Sequence, residues 1–133
     1  MKKVMAALAC TVSLIIGANA SAQTEKPTVV LVHGAFADAS SWNGVVKILE
    51  KDGYPVVAAA NPLRSVKSDG AAVSALLDGI KSPVVLVGHS YGGNVISGVA
   101  EQLHDKIASI VFPDAFLPEN GDSLVEKAAP AFK

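Results

Sequence analysis

Beyond residue 22, four short apolar runs rich in β-branched residues recur along the chain: Thr28–Val32, Pro55–Ala59, Val84–Val87 and Ile107–Phe112. None alternates cleanly with polar residues, so each is expected to be a strand buried on both faces. Between them the period becomes helical. Trp42, Val45, Val46 and Leu49 share one face, with Ser40 or Ser41 placed to cap the start and Gly53 to stop the helix. Val73, Leu76, Leu77 and Ile80 form a second stripe, with Ser68 or Asp69 near its start. Val95, Ile96, Val99 and Leu103 mark a third helix, opened by Gly92-Gly93 and ending at His104.

The strand starts lie 27, 29 and 23 residues apart, close to the strand–helix–strand unit of roughly 30 residues. This alternation predicts an α/β fold, a doubly wound parallel sheet with helices on both faces. The first and third strands should be neighbours, with the second outside them. Ligands of such sheets bind beyond the carboxyl ends of the strands, where the strand order switches direction. Residues that directly follow a strand are therefore site candidates. After Phe112 the pattern stops, and the remainder is expected to form a loop and a short helix over 123–128.

Hydrophobic residues make up 50% of the 133, and part of that fraction is N-terminal. Lys2 and Lys3 precede the charge-free run Val4–Ile16, and Ala18-Asn19-Ala20 and Ala20-Ser21-Ala22 both fit small-x-small cleavage patterns. The apolar run is shorter than the roughly 20 residues of a bilayer span. Residues 1–22 are thus expected to be an export signal, with residues 23–133 periplasmic or extracellular and free of the membrane. Cys10, the only cysteine, would leave with the signal, so the mature chain has no disulfide and no thiolate metal site. No metal cluster and no dinucleotide fingerprint is found, and no cofactor is expected. The net charge of −1, without a basic run, argues against nucleic acid or an anionic membrane surface as partner.

The chemistry concentrates at Gly88-His89-Ser90-Tyr91-Gly92, a G-x-S-x-G motif between the third strand and the third helix. That context gives a short motif its meaning. The chain must reverse from strand to helix within about one residue, which strains the serine and lifts its hydroxyl above the sheet edge. Side chains two before and two after it would collide, so Gly88 and Gly92 are required. The helix start aims free N–H groups at any negative charge that forms there. His33-Gly34-Ala35-Phe36 follows the first strand and should lie beside Ser90, with Gly34 letting the backbone turn. The expected oxyanion donors are the backbone N–H groups of Ala35 and Tyr91. His33 reads as a structural hydrogen-bonding group in that loop.

Taken with Val30–Phe36, Ser41-Trp42-Asn43, Asn61-Pro62-Leu63, Val84–Gly93 and Asp114–Pro118, the chain resembles the bacterial α/β-fold hydrolases, relatives of plant methyl-ester esterases and hydroxynitrile lyases. The resemblance covers about residues 26–128. It implies the N-terminal half of an α/β-hydrolase fold over 23–133, with 113–133 beginning a helical cap. It also implies Ser90 as nucleophile, Ala35 and Tyr91 as oxyanion donors, and a small-molecule ester, or an amide, as substrate.

A serine nucleophile needs a base. None of the three histidines suits: His33 lies in the oxyanion loop, His89 adjoins Ser90 on a turn where neighbouring side chains diverge, and His104 is about 20 Å down the helix. In the family order an acid and then a histidine follow the serine. Asp114, after the fourth strand, is the possible alternative acid. The chain accordingly reads as C-terminally truncated and weakly active or inactive by itself, with strand 107–112 leaving an apolar edge. The alternatives are a non-catalytic binding remnant, or a lyase or perhydrolase on the same fold.

Overall fold

The computed structural model describes residues 25–119 and 121–123. The expected signal, and most of the expected helix over 123–128, lie outside the described residues. Strands β1 (Thr28–Val32), β2 (Val56–Ala59), β3 (Val84–Gly88) and β4 (Ile107–Val111) form one parallel sheet in the order β2-β1-β3-β4. Helices α1 (Asn43–Lys51), α2 (Val66–Asp78) and α3 (Tyr91–Gln102) connect them. Among the described residues no helix is long and apolar enough to cross a membrane.

The helices divide between the two faces because each strand presents apolar groups both ways. Val30, Val32, Ala59, Val84 and Leu86 pack against Val73 and Leu77 of α2 and Val95, Ile96 and Val99 of α3. Val29, Leu31 and Val87 face the opposite side, where Trp42, Val46 and Leu49 cover them. β1 is buried throughout, as a central strand between two helical layers must be. The chain passes from β1 outward to β2, then back across to β3 and on to β4. The switch in direction therefore falls between β1 and β3, and the loops leaving those two strands meet there.

Several local expectations are corrected. β2 is only half-buried over most of its length. β4 is largely exposed, Ile110 and Val111 included, because it is the edge strand and its faces lack a helical cover among the described residues. A register shift between Val84 and Val85 marks where β4 begins to pair. Neither Ser40 nor Ser41 caps α1. Asp38 instead accepts from the Ser40 amide at 2.8 Å and starts a 3-10 turn, Ala39–Trp42, which runs into α1 without a side-chain cap. Those bonds from Ser40 hold the Asp38 carboxyl below the usual carboxylate range. Val45 is 38% exposed, outside the buried stripe. α2 begins at Val66, and its cap is Ser65, which accepts from the Ser68 amide. α3 ends at Gln102, leaving His104 in a following 3-10 turn. Gly53, at φ +79°, closes α1 as expected.

Candidate active site

His89 and Ser90 alone link the end of β3 to the start of α3, and the Ser90 backbone sits at φ 52°, ψ −121°. A residue with a side chain is rarely held there, and doing so costs on the order of 1–3 kcal/mol. The surroundings enforce it. The Gly92 amide donates to the His89 carbonyl at 2.8 Å, and the Gly93 amide to the Ser90 carbonyl at 2.9 Å. The His89 amide donates to the Val32 carbonyl at 3.1 Å, which ties the bend to the end of β1. Ser90 itself is half-buried, and its side chain makes no capping bond to α3.

The glycines make this bend possible by absence of bulk. A Cβ on Gly88 would stand 2.5 Å from the Gly92 carbonyl oxygen, and one on Gly92 would stand 2.6 Å from the Val32 carbonyl oxygen. Gly34 plays a related part for a reason other than the expected turning freedom. Its φ lies outside the left-handed region, but a Cβ there would sit 3.2 Å from Ser90 Cβ and 3.2 Å from His89 Nδ1. The loop after β1 thus lies directly alongside Ser90.

His33 explains how that loop is held. It is buried, and its Nε2 accepts from the Asn61 amide at 3.2 Å. Nδ1 must then carry the proton, which it donates to the Gly34 carbonyl at 2.9 Å. Asn61 answers with its side-chain N–H on the His33 carbonyl at 2.9 Å. Both ring nitrogens are committed, so His33 is a clamp between the β1 and β2 exits. Because the 34–35 peptide is planar and trans, fixing the Gly34 carbonyl turns the Ala35 N–H away from the imidazole. Neither the Ala35 nor the Tyr91 amide has an acceptor among the described residues.

The other histidines are placed elsewhere. The His89 ring meets the Trp42 indole edge-on, with centroids 6.3 Å apart. His104 lies beside Asp105 at 3.1 Å, in the turn leading into β4, at the opposite end of the sheet from Ser90. No imidazole of the chain bonds to Ser90. Asp114 stands exposed at φ 45° in the turn after β4 and is bonded to no histidine. Its neighbours do approach the site: a Cβ on Gly93 would lie 2.7 Å from Ala115 Cβ.

Two further polar residues have parts that sequence reasoning missed. Asn61, noted in sequence only within the Asn61-Pro62-Leu63 motif, is the clamp's second half. Asp69, noted only as a residue near the start of α2, is completely buried. Its Oδ2 accepts from the Tyr91 hydroxyl at 2.8 Å, and its Oδ1 from the Arg64 amide at 3.2 Å. Burial alone would lift its pKa. The bonds from Tyr91, the Arg64 and Ser65 amides and Ser68 outweigh that and hold the carboxyl below its ordinary value. The same burial, then the facing carboxylate, push the Tyr91 phenol up to about 12.

A strained serine between a parallel strand and a helix, flanked by two free amides, can act as a nucleophile and stabilise the oxyanion it creates. The family model of the alpha/beta hydrolase family matches residues 29–133. The chain belongs to the alpha/beta hydrolase family. This α/β hydrolase chain is 30% identical to Methylesterase 8 of Arabidopsis thaliana over 123 residues, covering 83% of the chain and 45% of that protein. It is 64% identical over 42 residues to the carbendazim hydrolyzing esterase of Nocardioides sp. (strain SG-4G), 32% of this chain and 17% of that one. The solved structure of an extracellular alpha/beta-hydrolase from a Paenibacillus species superposes with a TM-score of 0.70 at 32% identity, covering 76% of this chain and 46% of that one. The α/β hydrolase chain thus spans less than half the length of each of these relatives.

Proposed function

We propose that Ser90 is the nucleophile of an ester hydrolase acting by acyl transfer on small esters. The observation that carries this reading is the φ 52°, ψ −121° backbone of Ser90, held against two exits whose Ala35 and Tyr91 amides are free. In this reading Ser90 Oγ attacks the ester carbonyl carbon as its proton passes to a base. The carbonyl oxygen becomes an oxyanion before the two amides, and the alkoxide leaves as alcohol once protonated. Water then reverses the sequence and frees the acid. Esterases among the relatives support the substrate class.

None of the chain's three imidazoles bonds to Ser90, so no histidine base for the proton stands among the described residues. Losing the base of a serine protease costs about 10⁶ in turnover. We therefore infer that this chain alone hydrolyses esters very weakly. Residues 1–22 are proposed to direct export and 23–133 to form the hydrolase portion, in keeping with the extracellular Paenibacillus relative. A fluorophosphonate probe tests the nucleophile: intact mass should show one slow adduct, mapped to Ser90 and absent from Ser90→Ala. An adduct that persists in Ser90→Ala would refute the assignment. A rapid ester-hydrolysis burst from the purified chain, lost in Ser90→Ala, would refute the inferred weakness.

A further inference from the structure

The nucleophile assignment leaves one costly feature without a purpose. A carboxylate taken wholly out of water is destabilising unless its oxygens are satisfied. Asp69 is such a group, on the first turn of α2, and its partners come from three separate segments. They are the Arg64 amide in the loop after β2, Ser68 on α2 itself at 3.3 Å, and the Tyr91 hydroxyl at the start of α3. The bond to Tyr91 spans 22 positions of sequence and is the shortest of the three.

Tyr91 occupies an unusual station. Its amide must stay without an internal acceptor if it is to meet an oxyanion, so that N–H cannot help to anchor the helix start. The residue before it is strained and gives α3 no side-chain cap. The first turn of α3 is therefore held locally by the Gly92 and Gly93 amides on the His89 and Ser90 carbonyls. What remains to fix residue 91 is its side chain. A phenol donating to a buried carboxylate is a charge-assisted bond, stronger than a neutral one.

We propose that Asp69 is a positioning residue which, by gripping the Tyr91 hydroxyl, holds the first turn of α3 so that the Tyr91 amide faces the oxyanion formed at Ser90. This rests on the reading of Ser90 as nucleophile. Asp69 neither touches substrate nor moves a proton, since its oxygens are committed to Tyr91, Arg64 and Ser68. Its effect is geometric and reaches the reaction only through residue 91.

Amide hydrogen exchange and fluorophosphonate labelling on the intact chain test this together, using Tyr91→Phe, Asp69→Asn and the double variant. Tyr91→Phe should speed exchange at Gly92 and Gly93 about tenfold, the loss of one hydrogen bond to a charged group. The Val30 and Leu86 amides in the central strands should keep wild-type protection. The maximal labelling rate should fall by about the same factor, with the half-saturating probe concentration unchanged. Asp69→Asn, which keeps an acceptor but loses its charge, should show about a threefold effect. The double variant should be no worse than Tyr91→Phe, as expected for two ends of one bond. Unchanged exchange at Gly92 and Gly93 would overturn the proposal, as would a loss of protection spread evenly through β1 and β3. Wild-type labelling rates in both single variants would overturn it while leaving Ser90 as nucleophile. A wild-type chain that takes no probe at Ser90 would end both readings.

Discussion

Adding one methyl group at Gly92 should unfold the site from within, although the same change is favourable elsewhere on the same helix. Gly92 lies in the first turn of α3, and in an exposed helix interior Gly→Ala stabilises by roughly 0.5–1 kcal/mol. Here the new Cβ would stand 2.6 Å from the Val32 carbonyl oxygen and 2.9 Å from that of His33. Neither atom can give way cheaply. Val32 ends β1 and His33 follows it, both are buried, and the Val32 carbonyl also accepts the His89 amide at 3.1 Å. Overpacking of this kind costs about 1–3 kcal/mol, and loosening that hydrogen bond adds about 1 kcal/mol. Against the propensity gain, the net loss is about 2 kcal/mol, or roughly 10 °C in melting temperature for a domain of this size. Gly98 supplies the control. It is on α3 with nothing within 4 Å of an added Cβ, so Gly98→Ala should gain up to about 1 kcal/mol. Urea unfolding followed by the single tryptophan reads both variants, because Trp42 packs on the Val29, Leu31 and Val87 cluster. Equal stability of Gly92→Ala and wild type, or equal losses at positions 92 and 98, would show the steric reasoning to be mistaken.

Replacing Ser90 by glycine should relieve the strain at φ 52° and raise stability by about 1 kcal/mol while abolishing probe labelling; a destabilised Ser90→Gly would contradict the strain. Tyr91 is raised from 10.0 to about 12 in the folded chain, so its contribution is complete below pH 10 and is lost as pH climbs through 12. After discounting for partial exposure, urea midpoints should show wild type losing on the order of 1–2 kcal/mol more than Tyr91→Phe over that interval. Asp69 has the opposite sign: its pKa is depressed, so its contribution is present above the ordinary carboxylate value and is lost as pH falls below it, a dependence that Asp69→Asn should lack. Asn61→Ala removes the side-chain donor to the His33 carbonyl and should cost about 1–3 kcal/mol, with faster exchange of the position-61 amide, which donates to His33 Nε2, as the local sign; an unchanged amide there would argue against the clamp.

The four strands, the pairing of the first with the third with the second outside them, and the bend at Ser90 were legible because they follow from local pattern and general rules of connection. Apolar β-branched runs at the spacing of strand–helix–strand units leave few topologies. A strand that must become a helix within one residue needs glycine at 88, where an added Cβ would meet the Gly92 carbonyl, whereas the crowding at Gly92 comes from Val32 and His33 on the neighbouring strand and its exit. What the fold alone decided involves partners distant in sequence. The run 107–112 was legible as an apolar edge, but the exposure of the Ile110 and Val111 side chains follows from the lack of helical cover on β4 among the described residues, which no run of apolar letters discloses. Gly34 leaves room beside Ser90 rather than a left-handed turn, since the atoms closest to an added Cβ belong to residues 89 and 90 on the neighbouring strand's exit. His33 became a neutral clamp only because the β2 exit brings the Asn61 amide to its Nε2. Asp69 reads in sequence only as a residue near a helix start, and it is buried because α2 and α3 pack side by side and bring Tyr91 over it. Periodicity and steric demand are properties of neighbouring residues and can be read along the chain. Burial and hydrogen-bond partnership belong to pairs that only the closed sheet brings together.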